Sequence, residues 1–126
     1  LSLQDEIDPV QLLKSFVRNF VLLSAKFPQL ANIVMNDCSK KGVHLDYVVK
    51  RIWPLHSAIE PVFLKVQSQG LLKKFNHETF LLFLIATGIA PLALSAFTNR
   101  LCGGNVLSKK GISQHADLVV HTLFAE

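Results

Sequence analysis

The sequence has few cysteines, and they stand in no spacing that cysteine chemistry uses. Cys38 and Cys102 lie far apart and form neither a C-x-x-C pair nor a zinc-finger pattern. A disulfide-rich secreted scaffold is therefore excluded, whereas a single disulfide between the two remains open. Apolar chains with so little cysteine are typical of the reducing cytosol, so we expect a cytoplasmic protein.

Motifs of catalysis and metal binding are also missing. The sequence contains no H-E-x-x-H, no G-x-S-x-G and no phosphate-binding glycine loop. Its carboxylates are isolated, and Glu60, alone among apolar residues, is the one that we would expect to meet a cationic ligand. We therefore predict no catalytic residue, no metal site and no cofactor, and we do not expect an enzyme. The histidines, which show no ligand spacing, are His44, His56, His77, His115 and His121.

A strong charge of one sign is lacking too. The chain has 13 basic and 9 acidic residues, and the lysines occur as scattered pairs at 40–41, 73–74 and 109–110. Each pair lies next to a predicted helix end, where cations oppose the negative end of the helix dipole. No stripe of arginines alternates with aromatic residues, so these residues show no interface for nucleic acid.

Apolar residues are what the sequence has in excess. They make up 50% of the chain, nine of the aromatic residues are Phe, and the mean hydropathy is +0.36. Residues 79–99 carry no charge, and this stretch is long enough to span a membrane. Three observations favour instead the central helix of a bundle outside the membrane. Gly88 and Pro91 lie near the middle of the stretch, it has no Trp or Tyr belt, and the helices elsewhere are amphipathic. A membrane-embedded fragment is the less favoured alternative.

Helical spacing dominates the rest of the chain. Asp8-Pro9 predicts a helix start, and apolar residues at steps of three and four run from Leu12 to Phe27, where Pro28 ends one helix and begins the next. A third stretch begins near His44. No segment alternates with period two, so we predict an all-α single domain over residues 1–126, a bundle of five to six helices.

Two details of this pattern concern prolines and caps. We expect Pro54 to interrupt the third stretch, and the longer helix that follows it, which ends at Gly70, to be kinked at Pro61. Asn76 or His77 is expected to begin the charge-free helix, and Ser113 to cap the last one.

The order of these helices resembles the C-terminal regulatory domain of TetR-family transcription regulators. DPVQLLKSFVRNFVLLSAKFPQLANIVMND is similar to the family's pattern of a helix, an aromatic-Pro pair and a short helix. HLDYVVKRIWPLHSAIEPVFLKVQSQGLLKKFN is similar to its long helix, and the charge-free helix and QHADLVVHTLF resemble its two dimerisation helices. The family's helix-turn-helix does not precede Leu1, so we expect a fragment that holds the sensor part alone.

This resemblance implies a function. The chain would be the effector-sensing and dimerisation domain of a bacterial, cytoplasmic repressor that binds a small lipophilic molecule between its helices. It would form a homodimer and meet DNA only through the absent N-terminal domain, without a membrane. The alternative that stays open is a helical protein-interaction domain without a small-molecule pocket, which a closed apolar cavity of several hundred cubic ångströms would exclude.

The candidate residues follow from the inward faces of the predicted helices. Phenylalanines and Met35 would supply adaptable apolar wall, whereas His56 and Thr87 would orient a ligand; ordinary core packing is the alternative for any single Phe. The predicted pocket comprises Phe16, Phe20, Met35, Trp53, His56, Phe63, Phe83 and Thr87. The predicted dimer interface comprises Ala86, Ile89, Ala90, Ala93, Ala96, Phe97, Val119 and Leu123.

Overall fold

The computed structural model describes residues 8–125, and within them it shows six α-helices and no β-strand. The prediction of an all-α bundle of five to six helices is confirmed. The helices are α1 (Pro9–Lys26), α2 (Pro28–Asp37), α3 (Val43–Ser68), α4 (His77–Ala93), α5 (Ser95–Cys102) and α6 (Lys109–Leu123).

Side-chain caps and prolines set most of the helix starts. The Asp8 carboxylate accepts a hydrogen bond from the Val10 amide at 3.0 Å, and Pro9 occupies the first turn of α1. Asn76 caps α4 in the same way, because its Oδ1 accepts from the Thr79 amide at 2.7 Å. Both starts agree with the sequence, since a cap satisfies an amide that has no partner within the helix.

The start of α6 differs from the prediction. Ser108, not Ser113, is the cap, and its Oγ accepts from the Gly111 amide at 3.0 Å. Glycine is typical of loops, yet Gly111 lies in the first turn of α6. A Cβ at this position would lie 2.3 Å from the Asn105 carbonyl oxygen. The glycine is therefore required by the close approach of the preceding turn, and it does not mark a helix end.

The third helix also differs, because it does not stop at Pro54. Residues 43–68 form one helix that contains both Pro54 and Pro61. An internal proline leaves the carbonyl four residues earlier without its helical donor. Lys50 and the residues around Pro54 are exposed, so water can satisfy that carbonyl and the helix continues.

The charge-free stretch is not one straight rod. It is divided between α4 and α5, which meet at Leu94 with a bend of 81°. Pro91 supplies no amide to the helix, and Thr98 Oγ1 donates to the Pro91 carbonyl at 2.8 Å, which satisfies an oxygen freed by the bend. Among the described helices, none is by itself long and apolar enough to cross a membrane, and only the bent pair α4 and α5 together passes on length and composition.

The core lies where α1, α3, α4 and α6 meet. α1 packs against all three of the others, and α2 covers the side of α4 that faces away from α6. An ion pair from Arg18 to Asp117, with a second bond from Arg18 to Ser113 Oγ at 3.1 Å, joins the outer edges of α1 and α6. The buried side chains of the main cluster are Leu13, Val17, Val21, Phe63, Val66, Leu72, Phe75, Phe80, Leu84, Leu92, Ala116, Val119 and Leu123.

Candidate functional site

An apolar cavity of about 190 Å³ lies between α1, α2, α3 and α4. His56 is the one polar side chain in its wall, and all the others are aliphatic or Phe. We call it the four-helix cavity. It is lined by Phe16, Phe20, Leu23, Leu30, Val34, Ile52, Leu55, His56, Leu81, Leu84, Ile85 and Ile89.

Two apolar stripes on α1 explain why a cavity forms beside the core. Leu13, Val17 and Val21 are fully buried in the core. Phe16 and Phe20 lie next to that stripe on the helix surface, are half-buried, and face the cavity instead. Because a helix turns about 100° per residue, two stripes one position apart cover a wide apolar arc, and only part of it can enter one core.

The cavity has an exposed rim. Leu23 of α1, Leu30 of α2, and Ile52 and Leu55 of α3 all line it and all remain exposed to solvent. The deeper wall comes from α4, where Leu84 and Ile89 are buried. A ligand would therefore enter over the rim and rest against α4.

The structure brings together part of the predicted pocket. Phe16, Phe20 and His56 line the cavity as predicted. Met35 does not reach it and is exposed, and the Trp53 ring lies outside on the protein surface, stacked on His56 with ring centroids 4.8 Å apart.

The other three predicted pocket residues lie outside the four-helix cavity, each in a different place. Phe63 is fully buried in the core, which is the alternative that the sequence left open for any Phe. Phe83 points to the outer surface, where its ring meets Phe75 edge to face at 5.3 Å. Thr87 donates its hydroxyl to the Phe83 carbonyl of its own helix at 2.7 Å and does not line the cavity.

Sequence reasoning missed the aliphatic wall. Leu81, Ile85 and Ile89 of α4 recur at steps of four, so the helical period marked them as one face. In a helix that is apolar all round, however, the period does not say which face meets the cavity. The position of α2 against α4 decides it.

The predicted interface residues do not all lie on one surface: some are exposed, some are half-buried and some are buried within the chain. Ala86, Ala96 and Phe97 are exposed, and Ala90 and Ala93 are half-buried. Ile89 lines the cavity, and Val119 and Leu123 are buried in the chain's own core, so these three have no surface left for a partner. Leu82, Leu94, Leu101 and Leu118 are exposed apolar residues that the prediction did not include.

These exposed residues define a surface on α4, α5 and α6. We call it the exposed apolar face, and it comprises Leu82, Phe83, Ala86, Leu94, Phe97, Leu101 and Leu118.

A larger groove of about 460 Å³ runs between α1 and α6. Lys14, Arg18 and Asp117 line it, and the Arg18–Asp117 ion pair spans it. Charged, solvated walls of this kind offer little to an apolar molecule, so the four-helix cavity is the better candidate for ligand binding.

A cluster of ionisable side chains adjoins the cavity. His56 and Glu60 stand four residues apart on α3, and His77 is the first residue of α4. His77 Nδ1 lies 3.4 Å from Glu60 Oε2, and the two imidazole centroids are 4.3 Å apart. His56 Nε2 also lies 3.9 Å from Glu78 Oε1. We call these the His–Glu cluster.

His77 is the buried member of the His–Glu cluster. It is 5% exposed, and within the described residues neither ring nitrogen makes a hydrogen bond. Burial, and then the neighbouring His56, lower the pKa of His77 below its ordinary value, against the opposing pull of the Glu60 and Glu78 carboxylates. Its surroundings therefore disfavour the charged imidazolium.

Comparison of the chain with models of known protein families, with curated protein sequences and with solved structures gave no match.

Proposed function

We propose that the chain is the effector-sensing and dimerisation domain of a TetR-like transcriptional repressor that acts in the cytoplasm. The observation that carries the proposal is the four-helix cavity. It lies between the first, second and long helices and the charge-free helix, which is where the resemblance places an effector pocket. Its apolar wall suits a small lipophilic molecule.

The size of the cavity limits the ligand. A closed apolar cavity of about 150 Å³ accepts benzene, and 190 Å³ is of the same order. It is smaller than the several hundred cubic ångströms that would exclude a protein-interaction domain, so that alternative stays open, and we propose a ligand core of about one ring. A substituent could extend over the exposed rim.

α4 supplies a route from ligand to partner. Its Leu81, Ile85 and Ile89 face the cavity, whereas Leu82 and Ala86 face outward. A ligand that binds better to one position of α4 would shift the population of the dimer toward that arrangement and so change the spacing of the DNA-binding heads. A loss of about a hundredfold in operator affinity requires roughly 2.7 kcal/mol of differential ligand binding.

The test uses benzene as the probe and a variant that fills the cavity. Ile85→Trp replaces a half-buried wall residue, and Leu64→Trp adds the same ring at an exposed site on α3 outside the cavity. We expect benzene to shift the methyl NMR signals of the cavity wall in the wild-type chain and in Leu64→Trp, and to have no effect in Ile85→Trp. Benzene-induced shifts that survive in Ile85→Trp, or that are absent from the wild type, would refute a ligand site in the cavity.

A helical protein-interaction domain is the second candidate function. The observation in its favour is the first half of α3, where Val43, Tyr47 and Trp53 are all more than half exposed. Exposed aromatic residues of this kind are enriched where proteins bind each other. Absence of benzene binding in the wild-type chain, together with a stable fold, would favour this function over the sensor.

A further inference from the structure

We propose that His56, Glu60 and His77 bind a divalent transition-metal ion, with zinc as the metal that the ligand set suits best. The proposal does not depend on the repressor function. It replaces the expectation from the sequence that the chain holds no metal site.

The first argument is the spacing of the donor atoms. One donor atom from each of the three side chains lies within 4.8 Å of the others. Two ligands of a tetrahedral zinc, each about 2.0–2.1 Å from the metal, lie roughly 3.4 Å apart. The separation of His77 Nδ1 and Glu60 Oε2 is 3.4 Å, so one edge of the coordination tetrahedron is already formed.

The remaining ligand can reach the metal without a change of fold. His56 is half-buried at the edge of the cluster, and Glu60 has a flexible side chain. The three donor atoms lie within 4.8 Å of one another. A movement of about 1 Å by the His56 and Glu60 side chains would reduce their separations to those between ligands of one zinc ion. His56 and Glu60 are one helical turn apart on α3, so both project to the same side.

The burial of His77 also points to a metal ligand. Its side chain is 4% exposed; Nδ1 lies 3.4 Å from Glu60 Oε2 without the geometry of a hydrogen bond, and Nε2 has no partner among the described residues. Buried polar groups without partners are rare, and a metal ligand is one of the arrangements that resolves them. A metal ion on Nδ1 would give that atom its partner.

The local charge is suited to a dication. The carboxylates that act on His77 are Glu60 and Glu78. Their two negative charges balance an ion of charge +2. Glu78, which lies 3.9 Å from His56 Nε2, can orient the His56 ring.

The ligand types select the metal class. Two imidazoles and one carboxylate suit zinc, cobalt, nickel or iron, whereas magnesium and calcium require oxygen ligands. Three protein ligands leave a fourth position for water, as in zinc sites that are open to exchange. His56 also lines the four-helix cavity, so this position lies beside it.

The test is a titration of the full chain with Co²⁺, the visible-spectrum substitute for zinc, after treatment with EDTA and under reducing conditions. We expect one equivalent to bind with the absorption bands of a four-coordinate site, and Zn²⁺ to displace it. Glu60→Gln replaces a charged carboxylate with a neutral amide, and His56→Gln removes the imidazole ligand; in both variants we expect the affinity to fall at least tenfold to a hundredfold, since even outer-shell changes cost about that much.

Matched controls separate this site from binding at other donors. His44→Gln and His121→Gln remove exposed histidines, and Cys38→Ser with Cys102→Ser removes both thiols. We expect these controls to bind Co²⁺ like the wild type. Circular dichroism of every variant without metal shows whether it is folded, so that loss of binding is read only from folded protein.

Two results would overturn the proposal. One is Co²⁺ binding that is unchanged in both Glu60→Gln and His56→Gln or is lost in the control variants, which would place the metal elsewhere. The other is a wild-type chain, folded by circular dichroism, that binds neither Co²⁺ nor Zn²⁺ in the micromolar range.

Discussion

Phe63 and Leu64 are neighbours on α3 with opposite surroundings. Phe63 is fully buried and touches the rings of His77 and Phe80, with centroids 5.4 and 5.2 Å away, whereas Leu64 is 54% exposed. We expect Phe63→Ala to lower the free energy of unfolding by about 3–5 kcal/mol, because it removes a buried ring and leaves a cavity. Leu64→Ala, the matched control, should change it by about 0.5 kcal/mol or less.

Urea denaturation of both variants measures this difference. Equal losses in the two variants would contradict the position of Phe63 in the core. Equal losses would favour instead the position of Phe63 in the ligand pocket, as the sequence predicted.

His77 gives the metal-free protein a pH dependence of known sign. Its pKa is lowered in the folded chain, first by burial and then by His56, while Glu60 and Glu78 oppose the shift. As the pH falls below about 6.5, the ordinary value, the unfolded chain takes up a proton that the folded chain does not. The free energy of unfolding therefore decreases until the pH passes the folded pKa, and this contribution is constant above about pH 7.

Urea denaturation in EDTA between about pH 7 and pH 5 measures this slope. His77→Gln has no such group, so its slope should be shallower than that of the wild type. His121→Gln, which removes an exposed histidine, should keep the wild-type slope. Equal slopes in the wild type and His77→Gln would show that His77 is not the source.

At the scale of the element, α3 carries two prolines in its interior and yet stays continuous. Pro54 is exposed and its missing amide costs one helical hydrogen bond. We expect Pro54→Ala to raise the free energy of unfolding by about 1–3 kcal/mol, since alanine restores that bond and has the higher helix propensity.

Pro28→Ala is the control for this prediction, because Pro28 occupies the first turn of α2, where proline is favoured. It should lower the free energy of unfolding by about 1 kcal/mol or less. Thermal or urea unfolding distinguishes the two. A Pro54→Ala variant no more stable than the wild type would mean that α3 gains nothing from the restored bond.

The elements also show how far sequence patterns reach. Asp8, Asn76 and the Phe27-Pro28 pair placed three helix boundaries, because caps and prolines act on their immediate neighbours. The sequence patterns gave wrong helix boundaries at Pro54 and Ser113. At Pro54 the helix continues because water can satisfy the freed carbonyl. At the start of α6 the Asn105 carbonyl approaches Gly111 closely, and neither effect is contained in the local sequence.

For the whole molecule, the exposed apolar face remains to be explained. Leu82 of α4 is 64% exposed and Phe97 of α5 is 62% exposed. We expect a two-fold dimer that buries this face, because large exposed apolar surfaces mark association sites. The double variant Leu82→Glu with Phe97→Glu should be a monomer, since two charges per subunit would be buried in the interface.

Sedimentation velocity at tens of micromolar measures the assembly state. Leu64→Glu adds a charge at an exposed leucine outside the face and should remain dimeric. Both variants should retain wild-type helix content, because none of the altered side chains belongs to the core. A wild-type chain that is monomeric at this concentration would contradict the dimer, and with it much of the proposed function.

The candidate site was predicted only in part, and the residues show why. Phe16, Phe20 and His56 reached the cavity because each lies on the inward side of an amphipathic helix, a side that the helical period marks. Phe63 has the same periodicity but lies about two helical turns beyond His56 on α3, in the core. The His–Glu cluster escaped detection because His77 comes from another helix, 17 residues beyond Glu60 (77 − 60), although the step of four from His56 to Glu60 was visible.

The sequence by itself determined that the chain is helical, where α1, α2 and α4 begin, and that apolar side chains exceed what one small core can hold. These properties follow from interactions between neighbours along the chain and from composition. Only the tertiary structure decided which apolar face of α4 meets α2, that α4 bends into α5, and that His77 is buried beside Glu60. Those outcomes depend on contacts between residues distant in sequence, for which several packings satisfy the same helical period and only the whole bundle selects one.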